Sequence, residues 1–151
     1  MSQSLAAVYL HLVFSTKGRR AWFVEANLRS RMHAYIGATS RELDCAPIQV
    51  GGTSDHVHLL ARCGREISLS GLVKEVKRVS SRWLKAQGEQ LAEFEWQRGY
   101  AAFSVSPSNL DRVRAYVTEQ EKHHAKFDYQ RELRTLPQRH GLEWDETHLW
   151  D

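Results

Sequence analysis

Residues 47–62 read PIQVGGTSDHVHLLAR, and this stretch decides the fold. Pro47 to Val50 is a short apolar run, Gly51-Gly52-Thr53-Ser54 is turn chemistry, and Asp55 to Arg62 alternates Val57, Leu59 and Ala61 against His56, His58, Leu60 and Arg62. Period-two alternation marks a strand with two unlike faces, and glycine-rich punctuation folds one run back on the other. The stretch therefore predicts two adjacent strands, the second presenting a pair of histidines on one face and aliphatic residues on the other.

Working outward, Val8 to Ser15 (VYLHLVFS) predicts a first strand, with Val8, Leu10, Leu12 and Phe14 facing one way and Tyr9, His11, Val13 and Ser15 the other. Leu28, Met32, Tyr35, Ile36, Thr39 and Leu43 recur at helical spacing between it and the hairpin. Ser68 is placed to cap a second helix whose apolar face is Leu69, Leu72, Val73, Val76, Val79 and Trp83. Gly99 to Val105 predicts a fourth strand, and Ser106-Pro107 a helix start, with the helix running to about Lys126. The order is βαββαβ plus a C-terminal helix. That is the α+β, ferredoxin-like arrangement: an antiparallel sheet with helices on one face and its first and third strands central. Residues 1–106 form the core on this reading, 107–126 the added helix and 127–151 an acidic tail.

The 151 residues suit one domain, and 42% hydrophobic with 26% charged residues exclude a disordered or fibrous chain. No apolar run is long enough for a membrane span, and MSQSLAAVYLHLVF shows no signal-peptide pattern. Two cysteines, Cys45 and Cys63, cannot build a disulfide framework, which points to the cytoplasm. Charge is unevenly divided. Through Arg134 there are 20 basic against 14 acidic residues (+6), whereas residues 135–151 hold one Arg against four acids (−3). A basic body suggests a polyanionic partner.

Three constellations could carry chemistry. His56 and His58 share a strand face, so both imidazoles can reach one ion; alone they would equally be two half-exposed histidines. Tyr116 and Gln120 stand one turn apart on the last helix, with His123 and His124 a turn further, where an ordinary half-buried aromatic and a solvated amide are the plainer reading. Lys74, Arg78, Ser81, Arg82 and Lys85 form a stripe along the second helix with Glu75 the single acid in the run, and Lys17, Arg19 and Arg20 a second cluster. Either could be a solvated surface or a set of phosphate contacts. There is no Walker loop, dinucleotide fingerprint, pair of His-x-Thr/Ser motifs or nucleophile elbow.

Taken together, YLHLVFSTKGRR (9–20), GGTSDHVHLL (51–60), GLVKEVKRVSSRWL (71–84), GYAAFSVSPS (99–108), VRAYVTEQEKHH (113–124) and the ending from Phe127 resemble the HUH single-tyrosine transposases of the IS200-like type across nearly the whole chain. The resemblance implies that His56 and His58 are the family's metal pair, Tyr116 its nucleophile and Gln120 its third metal ligand. It implies attack by Tyr116 on a single-stranded DNA phosphodiester near a hairpin, giving a 5′-phosphotyrosine and a free 3′-hydroxyl, with Mg2+ or Mn2+ as cofactor. It further implies a homodimer with active sites shared between subunits. DNA contact is expected at Lys17, Arg19, Arg20, Lys74, Arg78, Arg82 and Lys85. Two rival readings stand beside it. One is a domesticated relative acting on chromosomal repeat hairpins. The other is a non-catalytic single-strand nucleic-acid binder that would stack bases on sheet-face aromatics such as Tyr9.

Overall fold

The computed structural model describes residues 4–121. In chain order these form β1 (Tyr9–Ser15), α1 (Ala26–Glu42), β2 (Ala46–Gly52), β3 (His56–Arg62), α2 (Leu69–Lys85), β4 (Ala101–Val105) and α3 (Leu110–Thr118), with short 3-10 turns after β1, after α2 and before α3. The sheet order is β2-β3-β1-β4, with every neighbour antiparallel. This is the expected ferredoxin-like arrangement, with β1 and β3 at the centre.

The two sheet faces differ because the strands alternate. Leu12, Phe14, Val57, Leu59 and Ala61 point to the side of α1 and α2, where they close the main core with Met32, Ile36, Leu72, Val73, Val76 and Leu84. Leu60 and Val105 face the opposite way and meet Val117, with Tyr9, Ile48, Val113 and Tyr116 around them. So α3 lies on the face that α1 and α2 leave open, the face that carries the histidines.

Local chemistry explains where expected boundaries move. Ser68 does cap α2, its side chain accepting from the Gly71 amide. The buried side of α2 is Leu72, Val73, Val76, Ser80 and Leu84, whereas Leu69 is exposed and Val79 only half-buried. Ser80 fits because its hydroxyl donates to Val76 O (2.6 Å) and accepts from Trp96 Nε1 (3.0 Å). Strand β4 starts at Ala101, later than expected, because Lys77 Nζ takes the carbonyls of Gln97 (2.8 Å) and Gly99 (2.7 Å). Ser106 does not cap by side chain but bonds Ser108 (3.0 Å); Pro107 begins a 3-10 turn, and α3 follows. The helix stops at Thr118 and the chain is helical again at residues 120–121. The expected continuation to Lys126, His123 and His124, and the acidic tail lie outside the described residues.

Candidate active site

Strand β3 sets His56 opposite Ser15 and His58 opposite Val13 on β1, the central pair of the sheet, and both side chains are buried. His56 is held through Nδ1, which lies 2.8 Å from Asp55 Oδ1 and 2.9 Å from Thr53 Oγ1. A carboxylate only accepts, so Nδ1 donates here, and in the neutral ring Nε2 is the nitrogen that offers a lone pair. Nε2 faces Gln120 Oε1 at 3.0 Å. The Gln120 amide is turned that way because its nitrogen donates to Tyr116 O at 3.2 Å. Two electron-pair donors thus converge. At this separation the His56 nitrogen and the Gln120 oxygen would both be able to hold one divalent cation.

His58 is held differently. Its Nδ1 lies 2.7 Å from Nε2 of His11, a buried residue of β1, and the two rings stack with centroids 5.0 Å apart. With Nδ1 engaged, Nε2 is the atom through which His58 would ligate. The His56 and His58 rings are 5.1 Å apart. The donor set is therefore two imidazoles and one amide oxygen, which suits a divalent ion. Among the described residues no group of three or more His, Cys, Asp or Glu is arranged to hold a metal, so an ion here depends on Gln120.

Tyr116 completes the cluster. Its ring stands edge-on to His58 at 5.7 Å and to His11 at 6.0 Å, within the same chain. Helix α3 is seated by close packing: the Val117 carbonyl occupies the place a Cβ on Gly51 would take. Arg114 Nε reaches Gln49 Oε1 at 3.4 Å, and Arg29 of α1 pairs with Glu121 just past the helix. Beside this latch lies His33. Burial, then the Arg29 charge, lower its pKa from 6.5 to about 4, and its buried Nε2 has no hydrogen-bond partner among the described residues.

The basic residues lie elsewhere. The stripe of Lys74, Arg78, Arg82 and Lys85 runs along α2, across the sheet from the histidines. Arg78 is engaged by Glu75 (2.7 Å), which lowers the carboxyl pKa, while Lys74, Arg82 and Lys85 are exposed. Lys17 pairs with Glu95 (3.0 Å), Arg20 lies 4.1 Å over the Trp22 ring, and Arg19 sits at a positive φ of 55°. Lys17 and Lys85, far apart in sequence, line one cleft together with Ser81, Glu95, Trp96 and Arg98. The structure thus brings together the four residues singled out in the sequence, His56, His58, Tyr116 and Gln120, and adds His11, Asp55 and Thr53 beside them and Arg98 at the basic cleft, none of which the sequence reading proposed. The alternation of β1 set His11 on the other side from Leu12 and Phe14; the strand register shows that this is the histidine face and that His11 meets His58.

Solved structures with this fold include a candidate transposase of Deinococcus radiodurans R1, 18% identical, with a TM-score of 0.62 over 80% of this chain and 95% of that one. Another is a REP-associated tyrosine transposase bound to a REP hairpin, 13% identical, with a TM-score of 0.56 over 85% of this chain and 76% of that one. No curated protein sequence matches. The family described as "Transposase IS200 like" matches residues 4–120, nearly all that surrounds the cluster just described, and the chain belongs to that family.

Proposed function

We propose that this protein cuts and rejoins single-stranded DNA with Tyr116 as nucleophile. The observation that supports this most is the convergence, in one chain, of Tyr116 and Gln120 on His56 and His58. The Tyr116 oxygen attacks phosphorus, the bond to the 3′ oxygen breaks, and the DNA is left with a 5′-phosphotyrosine link and a free 3′-hydroxyl. The link keeps the energy of the phosphodiester, so a second 3′-hydroxyl reverses the step and joins new ends. His56, His58 and Gln120 would hold a divalent ion, which when bound polarises the scissile phosphate and offsets charge in the transition state. Two imidazoles and an amide are softer than magnesium prefers, so manganese suits the set at least as well. Asp55 and Thr53 orient His56, and His11 orients His58. Gln120, two residues past the end of α3, donates to the backbone carbonyl of Tyr116, so nucleophile and third ligand would move as a unit.

The substrate is a hairpin-bearing single strand, gripped through phosphate by Lys17, Lys74, Arg82, Lys85 and neighbouring Arg19, Arg20 and Arg78. Similarity in fold to a protein bound to a REP hairpin supports this choice, and it equally favours a domesticated relative acting on chromosomal repeats. Two ends must be exchanged, so the working form is a cytoplasmic homodimer in which α3 passes from its own site to the partner's. Mixing Tyr116→Phe subunits with His56→Ala/His58→Ala subunits restores cleavage if the sites are shared; no recovery after confirmed subunit exchange contradicts the exchange. The cleavage itself is tested with single-stranded DNA from the gene's flanks plus manganese. A covalent adduct is expected, lost on chelation and in His56→Ala or His58→Ala. Binding without an adduct under any divalent ion would favour a non-catalytic binder instead.

A further inference from the structure

Cys45 and Cys63 take no part in the site, and both are free thiols. The register of β2 and β3 pairs Ala46 with Arg62 and Pro47 with Ala61, so one step outward sets Cys45 opposite Cys63. The chains are still together beyond that step, because a Cβ built on Gly64 would meet the Asp44 carbonyl oxygen at 2.6 Å. Opposite residues of an antiparallel pair project to one face. Cys63 shares the parity of Leu59 and Ala61, whose core also holds Cys45.

The type of pair matters. The Cys63 amide points toward β1, donating to Val8 O at 2.7 Å, and the Cys45 amide points back to Ser40 O at 2.9 Å. The cysteines therefore form a non-hydrogen-bonded pair, the class in which opposed Cα atoms come to about 4.5 Å. Disulfides span Cα separations of roughly 4.4–6.8 Å. The Cys45 sulfur already turns toward the end of β3, accepting from the Gly64 amide at 3.3 Å. Cys63 is half-buried and lines an open cleft with Ser4, Arg62 and Arg65. Burial, then the neighbouring Cys45, raise its thiol pKa, so it reacts slowly near neutrality.

We propose that Cys45 and Cys63 are a redox-modifiable pair that closes to a cross-strand disulfide when a low-molecular-weight disulfide such as oxidised glutathione reaches Cys63. The Cys63 thiolate attacks one sulfur of the small disulfide, breaking its S–S bond and releasing one thiol. Cys45 then loses its proton and attacks the Cys63 sulfur, forming the cross-strand bond and expelling the second thiol. Two protein thiols are oxidised and one small disulfide is reduced to two thiols. Among the described residues β2 is an edge strand with β3 as its one sheet neighbour, and it carries the Gly51 surface on which α3 rests. The bond ties the start of β2, the end away from Gly51, to the end of β3 without touching His56 or His58.

The test is to incubate the folded chain with excess oxidised glutathione at mildly alkaline pH, followed by intact-mass and peptide analysis without reduction and by thermal unfolding. The expected result is loss of the mass of two hydrogens, one cross-linked peptide pair containing Cys45 and Cys63, and a Tm raised by roughly 5–10 °C that reduction reverses. Cys45→Ser should stop at a single glutathione on Cys63. Wild-type protein that also stops at the mixed disulfide, that links two chains, or that stays unreacted where Cys63 is ionised would overturn the proposal.

Discussion

His56 and His58 are both held through Nδ1, but by partners of different kinds. An aspartate and a threonine hold the first, a histidine the second. Partners of ligating histidines commonly set metal affinity by a factor of 10–100. His11→Ala is therefore expected to weaken manganese binding about tenfold or more, measured by titration calorimetry, while hairpin binding and secondary structure stay as they are. Affinity unchanged in that variant would remove His11 from the site. The residues whose spacing is local, the His-Val-His triplet and the one-turn Tyr116–Gln120 step, were legible in the sequence with the family pattern beside them. His11 was not, because its partner lies 47 residues away and is fixed by strand register.

At the level of elements, alternation and turn residues foretold all four strands and the order of the helices. They could not say on which face α3 packs: Val113, Tyr116 and Val117 make an apolar side that either face would accept. Gly51 settles it, since any side chain there would collide with the Val117 backbone. Gly51→Ala should cost about 1–3 kcal/mol by overpacking and lower adduct formation more than it lowers hairpin binding; an unchanged adduct yield would mean that α3 does not rest there during catalysis. His33 carries a pH signature of the same region. Its folded-state pKa of about 4 lies below the unfolded 6.5, so the unfolded chain takes up the proton first as pH falls. The stability tied to neutral His33 is complete above about 6.5 and fades between 6.5 and 4, by up to about 3 kcal/mol. Urea unfolding of wild type and His33→Gln at neutral and acid pH should show a shallower decline in the variant; parallel curves would contradict the assignment.

Across the described residues, the sheet separates two candidate surfaces. The histidine face carries the candidate chemistry, and the helix layer carries the basic stripe, joined to Lys17 at one cleft. A strand spanning both must pass around the sheet. Replacing Lys74, Arg82 and Lys85 together by Ala should reduce the slope of log affinity against log salt by about 2 for single-stranded DNA, with little change in adduct yield at saturating DNA. Arg78→Ala should do less, since Glu75 already engages that guanidinium. A slope unmoved by the triple variant would take the stripe out of the DNA path. All of this rests on one residue acting as nucleophile. The direct measurement is to digest the adduct formed on flanking single-stranded DNA with manganese and to map the modified tyrosine, in wild type and in Tyr116→Phe. The expected result is a phosphodeoxynucleotide on Tyr116 alone, and none in the Phe variant, which still binds the hairpin. An adduct that survives in Tyr116→Phe, or that maps to Tyr100 or Tyr129, would contradict it.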